Sequence, residues 1–155
     1  MSNAGISISL NDDSDYGLCF ACGPRNSSGL HLRFQRLGDT VSTTFLGRVE
    51  HQGFPGYVHG GIITALLDEV MSRVSLLDGR WTMTTRLDVR FRDSVRIGEM
   101  VTVAAEKRRQ LRGFIEVLGR VESSDGAVAA EATGKFSYVG DKVLSDMTVG
   151  YPLLA

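Results

Sequence analysis

A histidine, two glycines and a carboxylate nine residues past the histidine lie together in the run from Val58-His59-Gly60-Gly61 through Ile62, Ile63, Leu66 and Leu67 to Asp68. The small residues let a substrate approach the backbone, and the apolar spacing after them begins a helix. The first N–H groups of a helix have no partner within it, and the macrodipole puts positive charge behind them. A carbonyl oxygen that gains negative charge during a reaction is the group such an entrance stabilises, so chemistry on an acyl group is the functional reading. The plain alternative stays open at this point: Gly-Gly before a helix can be a turn, and an Asp on an amphipathic helix can be a solvated residue.

The elements that must position these residues can be read from periodicity. From Gly60 to about Leu77 the apolar residues Ile62, Ile63, Leu66, Leu67, Val70, Met71 and Val74 follow the three-and-four spacing of a buried helix face. Thr64, Asp68, Ser72 and Ser75 form a separate polar stripe, which turns Asp68 away from the core beneath the helix toward solvent or another surface. Ahead of it, Leu32, Phe34 and then Val41, Thr43 and Phe45 alternate around Leu37-Gly38-Asp39, which predicts two strands and a tight turn. Behind it, period-two patterns begin at Leu87, Val101, Ile115 and Val128, with hairpin signals at Arg112-Gly113 and Ser124-Asp125-Gly126. Two strands, one long helix and about four antiparallel strands predict an α+β domain in which a curved sheet wraps one central helix.

A chain of 155 residues with 43% hydrophobic and 23% charged residues supports one well-filled core and is too short for two ordinary domains. Residues 1–18 read as a flexible arm, 19–139 as the domain and 140–155 as a tail that is either loose or docks on a neighbouring subunit. A net charge of -1 gives no global attraction to nucleic acid or to an acidic membrane. No apolar stretch is long enough to span a bilayer, and Asp12, Asp13 and Asp15 stand where a secretory segment would be basic then apolar, so the expected location is cytoplasmic. Only Cys19 and Cys22 are available as thiols, so a closed zinc site would require His31 or a second subunit, and the expectation is no metal. The segment reads as a compact turn whose thiols pack like small hydrophobes; a thioredoxin-like pair is disfavoured because no helix pattern follows the CxxC.

The order of elements, with His59-Gly60-Gly61 at the mouth of the single helix and Asp68 within it, resembles the hotdog-fold thioesterases, in particular the phenylacetyl-CoA-thioesterase-like (PaaI-type) branch. Cys19-Phe20-Ala21-Cys22-Gly23-Pro24 followed by Gly29-Leu30-His31-Leu32-Arg33-Phe34 is similar to an opening found in some bacterial members, and Thr84 to Phe91 is similar to the strand after the helix. The resemblance implies an acyl-CoA thioesterase working as a homodimer with shared active sites, with a dimer of dimers left open, and with no cofactor beyond the coenzyme A of its substrate. It implies Gly60 as the backbone donor to the thioester oxygen, helped by Gly61, and Asp68 as nucleophile or general base. Ser72 falls where some relatives place an assisting hydroxyl, Thr84 and Thr85 where others do, and His59 would orient the loop or contact the carbonyl. Arg108, Arg109 and Arg112, beside Lys107, form the basic cluster suited to phosphates, although single arginines of this kind also simply solvate edge strands.

The sequence departs from the family at one place. Many relatives carry Asn or Gln six residues before the histidine, where this chain has Gly53; His51 and Gln52 beside it are the candidates to take over. The departure keeps a non-catalytic acyl-CoA-binding module as the competing reading. A hotdog dehydratase is the weaker alternative: Gly53-Phe54-Pro55-Gly56 resembles the His-Phe-Pro-Gly of the acyl-carrier-protein dehydratases without its histidine, and Leu66 falls near the place of their acid. A zinc-knuckle nucleic-acid protein, suggested by CxxCG alone, fails on ligand count and charge.

Overall fold

The computed structural model describes residues 10–11 and 17–148 of the chain. Six strands form one antiparallel sheet in the order β1-β2-β4-β5-β6-β3, where β1 is Gln35–Leu37, β2 Thr40–Leu46, β3 Thr82–Phe91, β4 Met100–Gln110, β5 Phe114–Ser123 and β6 Val128–Tyr138. Between β2 and β3 the chain forms helix α1, Gly60–Arg73, which tightens into a 3-10 turn over Val74–Asp78 and stops at Gly79 in the left-handed conformation (φ 66°). This is the predicted hotdog arrangement, with the sheet curved around the helix.

The helix buries Ile63, Leu66, Leu67, Val70, Met71 and Val74 against the inward residues of β4, β5 and β6, among them Val103, Val117 and Phe136. Alternation along those strands explains the sheet: inward positions are aliphatic or small and outward ones polar, so one face packs and the other meets water. Two inward positions are glycine for a steric reason. A Cβ at Gly119 would stand 2.6 Å from the Met71 sulfur, and one at Gly134 would stand 2.9 Å from Met71 Cε and 2.5 Å from Phe136 Cε2. Met71 is fully buried in this notch.

Strand β1 is shorter than the alternation at Leu32 and Phe34 predicts. Both side chains are buried, but the backbone there bonds to loop groups: Leu32 N–H donates to Ala21 O (2.9 Å) and Phe34 N–H to the Asn11 side-chain oxygen (2.8 Å). Strand pairing therefore starts only at Gln35. In the expected tail, Asp141–Thr148 is an eight-residue helix, α2; residues 149–155 and most of the expected arm lie outside the described residues. No helix among the described residues is long and apolar enough to cross a membrane.

Candidate active site

Helix α1 begins in an open cleft. His59 is its cap, in an extended conformation (φ -61°, ψ 135°), with Nδ1 accepting the Gly61 N–H at 2.8 Å. A ring nitrogen that accepts carries no proton, so the His59 proton sits on Nε2. The His59 carbonyl takes the Ile62 and Ile63 N–H groups at 2.9 and 3.2 Å. Among the described residues nothing takes the Gly60 N–H, which remains the free donor at the positive end of the helix.

The cleft over this donor has a volume of about 900 Å³. Gln52, Phe54 and Tyr57 line it from the loop ahead of the helix, and Phe91, Arg92 and Asp93 from the end of β3. The Phe91 ring lies beside Gly60, where an added Cβ would meet it at an ordinary 3.7 Å. Phe54 and Phe91 are exposed, giving the cleft an apolar rim that the sequence reading did not single out. The alternation of β3 was the available signal for Phe91. Arg92 bonds through Nε to Glu131 Oε1 at 3.1 Å, so the cation nearest the cleft is already paired. A second depression, about 560 Å³, crosses the outer sheet face between Asp88, Arg90, Arg120 and Glu131; among the described residues no helix terminus lines it.

Asp68 stands on the side of α1 that faces β3, the edge strand. Its Oδ1 accepts the Thr84 hydroxyl at 2.6 Å. Burial pushes its carboxyl above the usual aspartate value; the Thr84 hydrogen bond pulls the other way and the Glu69 charge adds to the rise. The other hydroxyls of the stripe are turned back onto the helix: Thr64 donates to Gly60 O at 2.9 Å, Ser72 to Glu69 O at 2.9 Å and Ser75 to Ser72 O at 2.9 Å. Ser72 is thus placed one turn from Asp68 with its proton committed to the backbone.

The structure separates the other sequence candidates. A bulge between Thr84 and Arg86 lets Thr84 reach Asp68 while Thr85 donates to Lys135 O at 3.1 Å on β6. His51 is buried, tilted against Phe45 at 4.9 Å between ring centroids, and accepts the Arg48 N–H at Nδ1; burial holds its pKa below the ordinary histidine value. It does not line the cleft. Gln52 does, with its side-chain oxygen bound to the Gly56 N–H at 2.8 Å. Gly53 is crowded, since a Cβ there would stand 3.0 Å from His59 Cα and 3.3 Å from His59 Cδ2. A side chain at 53 would push the cap aside.

The basic cluster sits at the other end of the helix. Lys107 Nζ bonds Asp78 at 2.7 Å, and Arg109 grips Glu116 with two bonds of 2.6 and 2.8 Å, which holds the Glu116 carboxyl below its usual range. Arg108 and Arg112 are exposed and form no ion pair among the described residues. At 1.5 Å per residue, the path from Gly60 to Asp78 is roughly 27 Å, so this cluster is not brought to the cleft of its own chain.

Beside the helix, the sulfurs of Cys19 and Cys22 and a Glu69 oxygen lie within 4.8 Å of one another. The cation among them is Arg73, which donates through Nη2 to Glu69 Oε1 at 2.6 Å and to Cys22 Sγ at 2.8 Å.

Known proteins agree with this architecture. Residues 55–130 match the family model described as Thioesterase superfamily. The acyl-coenzyme A thioesterase THEM5 of Mus musculus is 26% identical over 87 residues, which cover 55% of this chain and 35% of that protein. The chain thus matches about a third of the length of that curated relative. The crystal structure of a thioesterase superfamily protein aligns with a TM-score of 0.71 at 27% identity, covering 75% of this chain and 61% of that one. The E. coli PaaI protein from the phenylacetic acid degradation operon aligns with a TM-score of 0.68 at 16% identity, covering 72% of this chain and 81% of that one, a likeness of fold.

Proposed function

Residues 55–130 place this chain in the thioesterase superfamily, and on that premise we propose that it hydrolyses acyl-CoA thioesters to the free acid and coenzyme A in the cytoplasm, at sites shared between two copies of the chain. The observation that carries the reading is the free Gly60 N–H opening into an apolar-rimmed cleft, with His59 already spent on Gly61. The thioester oxygen receives the Gly60 hydrogen bond, which strengthens as negative charge develops there. The acyl group lies against Phe54 and Phe91.

The second half of the chemistry comes from Asp68. Gly60 and Asp68 are eight residues apart on one helix, about 12 Å along its axis, too far for both to act on one carbonyl in the same chain. Asp68 instead faces an exposed edge strand, the kind of surface that a two-fold partner covers. There it attacks the carbonyl or takes the proton of the attacking water, and its raised pKa makes it the stronger base. The acyl carbon is held at the donor of one protomer while the carboxylate comes from the other. This chemistry calls on no metal or organic cofactor. Arg108 and Arg112 are left to meet the phosphates of a coenzyme A bound at the partner's cleft.

The competing reading, an acyl-CoA-binding module without turnover, has a specific observation in its favour: the contact of Gly53 with His59 leaves no room for a water-holding amide. A complementation assay separates the two. Gly60→Pro replaces the N–H by a ring carbon while keeping the helix start, because proline suits the first helical position and His59 is already extended as a residue before proline must be. Thiol release from a panel of aliphatic and aryl acyl-CoAs should fall about 10²- to 10³-fold in this variant, the loss of one oxyanion donor. Mixing Gly60→Pro with Asp68→Asn and allowing chains to exchange should restore about a quarter of the wild-type rate, one intact site in each mixed dimer. No turnover by the wild type alongside tight acyl-CoA binding would favour the module, and an active wild type without restoration would place both groups in one chain.

A further inference from the structure

The CxxC turn is not used by the hydrolysis, yet its chemistry is unusually well prepared. Cys19 to Gly23 forms a single turn, closed by the Gly23 N–H on Cys19 O at 2.9 Å, and the loop is fixed by Leu30 N–H on Phe20 O and Leu32 N–H on Ala21 O. A Cβ at Gly23 would stand 2.5 Å from Cys19 N, so this position admits only glycine. The turn brings two thiols together with unequal access: Cys19 is half-exposed and Cys22 is buried.

Arg73 makes the place more than a packed turn. Its side chain is 8% exposed, its Nη2 serves Glu69 and Cys22, and its guanidinium lies 4.9 Å over the Phe34 ring. Its Nε is buried with no partner among the described residues. A guanidinium is rarely buried with a donor unused, and this one is packed against sulfur.

We propose that Cys19 and Cys22 form a thiol–disulfide exchange site, in which Cys19 attacks a small disulfide of the glutathione type and Cys22 resolves the product. In the first step the Cys19 thiolate bonds one sulfur of the reagent, the reagent S–S bond breaks, and a thiolate leaves. In the second, Cys22 gives up its proton and attacks the Cys19 sulfur, expelling the second reagent thiol. The pair is oxidised by two electrons and one disulfide is reduced to two thiols. The division of roles agrees with the local electrostatics: the Cys22 thiol donates to Cys19 and lowers its pKa to about 6 against the opposing effect of burial, while the same bond and burial push Cys22 up.

The chain has only these two cysteines, so the masses are unambiguous. The 155-residue chain is held with oxidised glutathione at pH 7, quenched in acid, alkylated and weighed intact. Wild type should lose two hydrogens and take up no alkylating group. Cys22→Ser should stop with one glutathione on Cys19, and Cys19→Ser should stay unmodified over the same interval. Without oxidant, Cys19 should alkylate at least about tenfold faster than Cys22. The proposal is overturned if the wild type keeps both thiols, if the two variants take up glutathione equally fast, or if the purified protein carries one zinc per chain that Cys22→Ser loses.

Discussion

Asp68 and Glu69 are neighbours on one helix, and their surroundings differ in the way that matters for carboxylates. Glu69 is neutralised by the Arg73 guanidinium at 2.6 Å, in a cluster closed over by the N-terminal loop. Asp68 has one hydroxyl, from Thr84, and no cation among the described residues. A carboxylate with its own counter-charge is bound into the structure, whereas one that is partly buried without a counter-charge keeps its affinity for a proton and remains available for chemistry. About 100° of helical rotation is enough to divide the two.

The contrast is broken most severely at Asp68. Asp68→Asn should lower kcat by about 10²- to 10⁴-fold in the thiol-release assay, the usual value of a positioned base, whereas Glu69→Gln should change it by less than about threefold. On the Glu69 side the effect moves from rate to stability. Arg73→Met leaves a carboxylate without its partner and should cost about 3 kcal/mol in a urea titration, the low end for broken buried pairs because Glu69 is 17% exposed.

Smaller changes sharpen the comparison. Thr84→Val removes the hydroxyl that lowers the Asp68 pKa, so kcat should fall by about tenfold and the acid limb of the pH–rate profile should move to higher pH. The smallest effect is on melting. Because the folded-state pKa of Asp68 is raised, the native protein loses stability as pH rises from the unfolded value through the folded one, and the loss persists above it. Asp68→Asn should therefore melt slightly higher than wild type at pH 7 and match it near pH 3, as differential scanning calorimetry would show.

Most of the architecture was legible because it rests on periodicity: the helix from Gly60 and the four strands after it follow from spacing alone, and the polar stripe already turned Asp68 from the core. What escaped depends on contacts that spacing does not encode. Thr84 and Thr85 look alike in sequence, and only the bulge in β3 gives one to Asp68 and the other to β6. His51 reads as a candidate to take over from the amide missing at Gly53, but Phe45 offers its ring a buried seat. Arg73 reads as an ordinary last-turn cation, and its cysteine partner lies 51 residues earlier, beyond any local pattern. The arginines near Gln110 signalled phosphate by composition, while their distance from Gly60 follows from helix length.

Met71, seated between Gly119 and Gly134, acts on the whole helix as a key does in a keyway. A rod so notched neither slides nor rolls on its bed, which fixes the height of every group it carries. Accommodation of acyl chains of different girth then falls to the segment from Gln52 to His59 and to the Phe91 ring. Variation in what the cleft accepts would be written into that short stretch, with the sheet behind it unaltered.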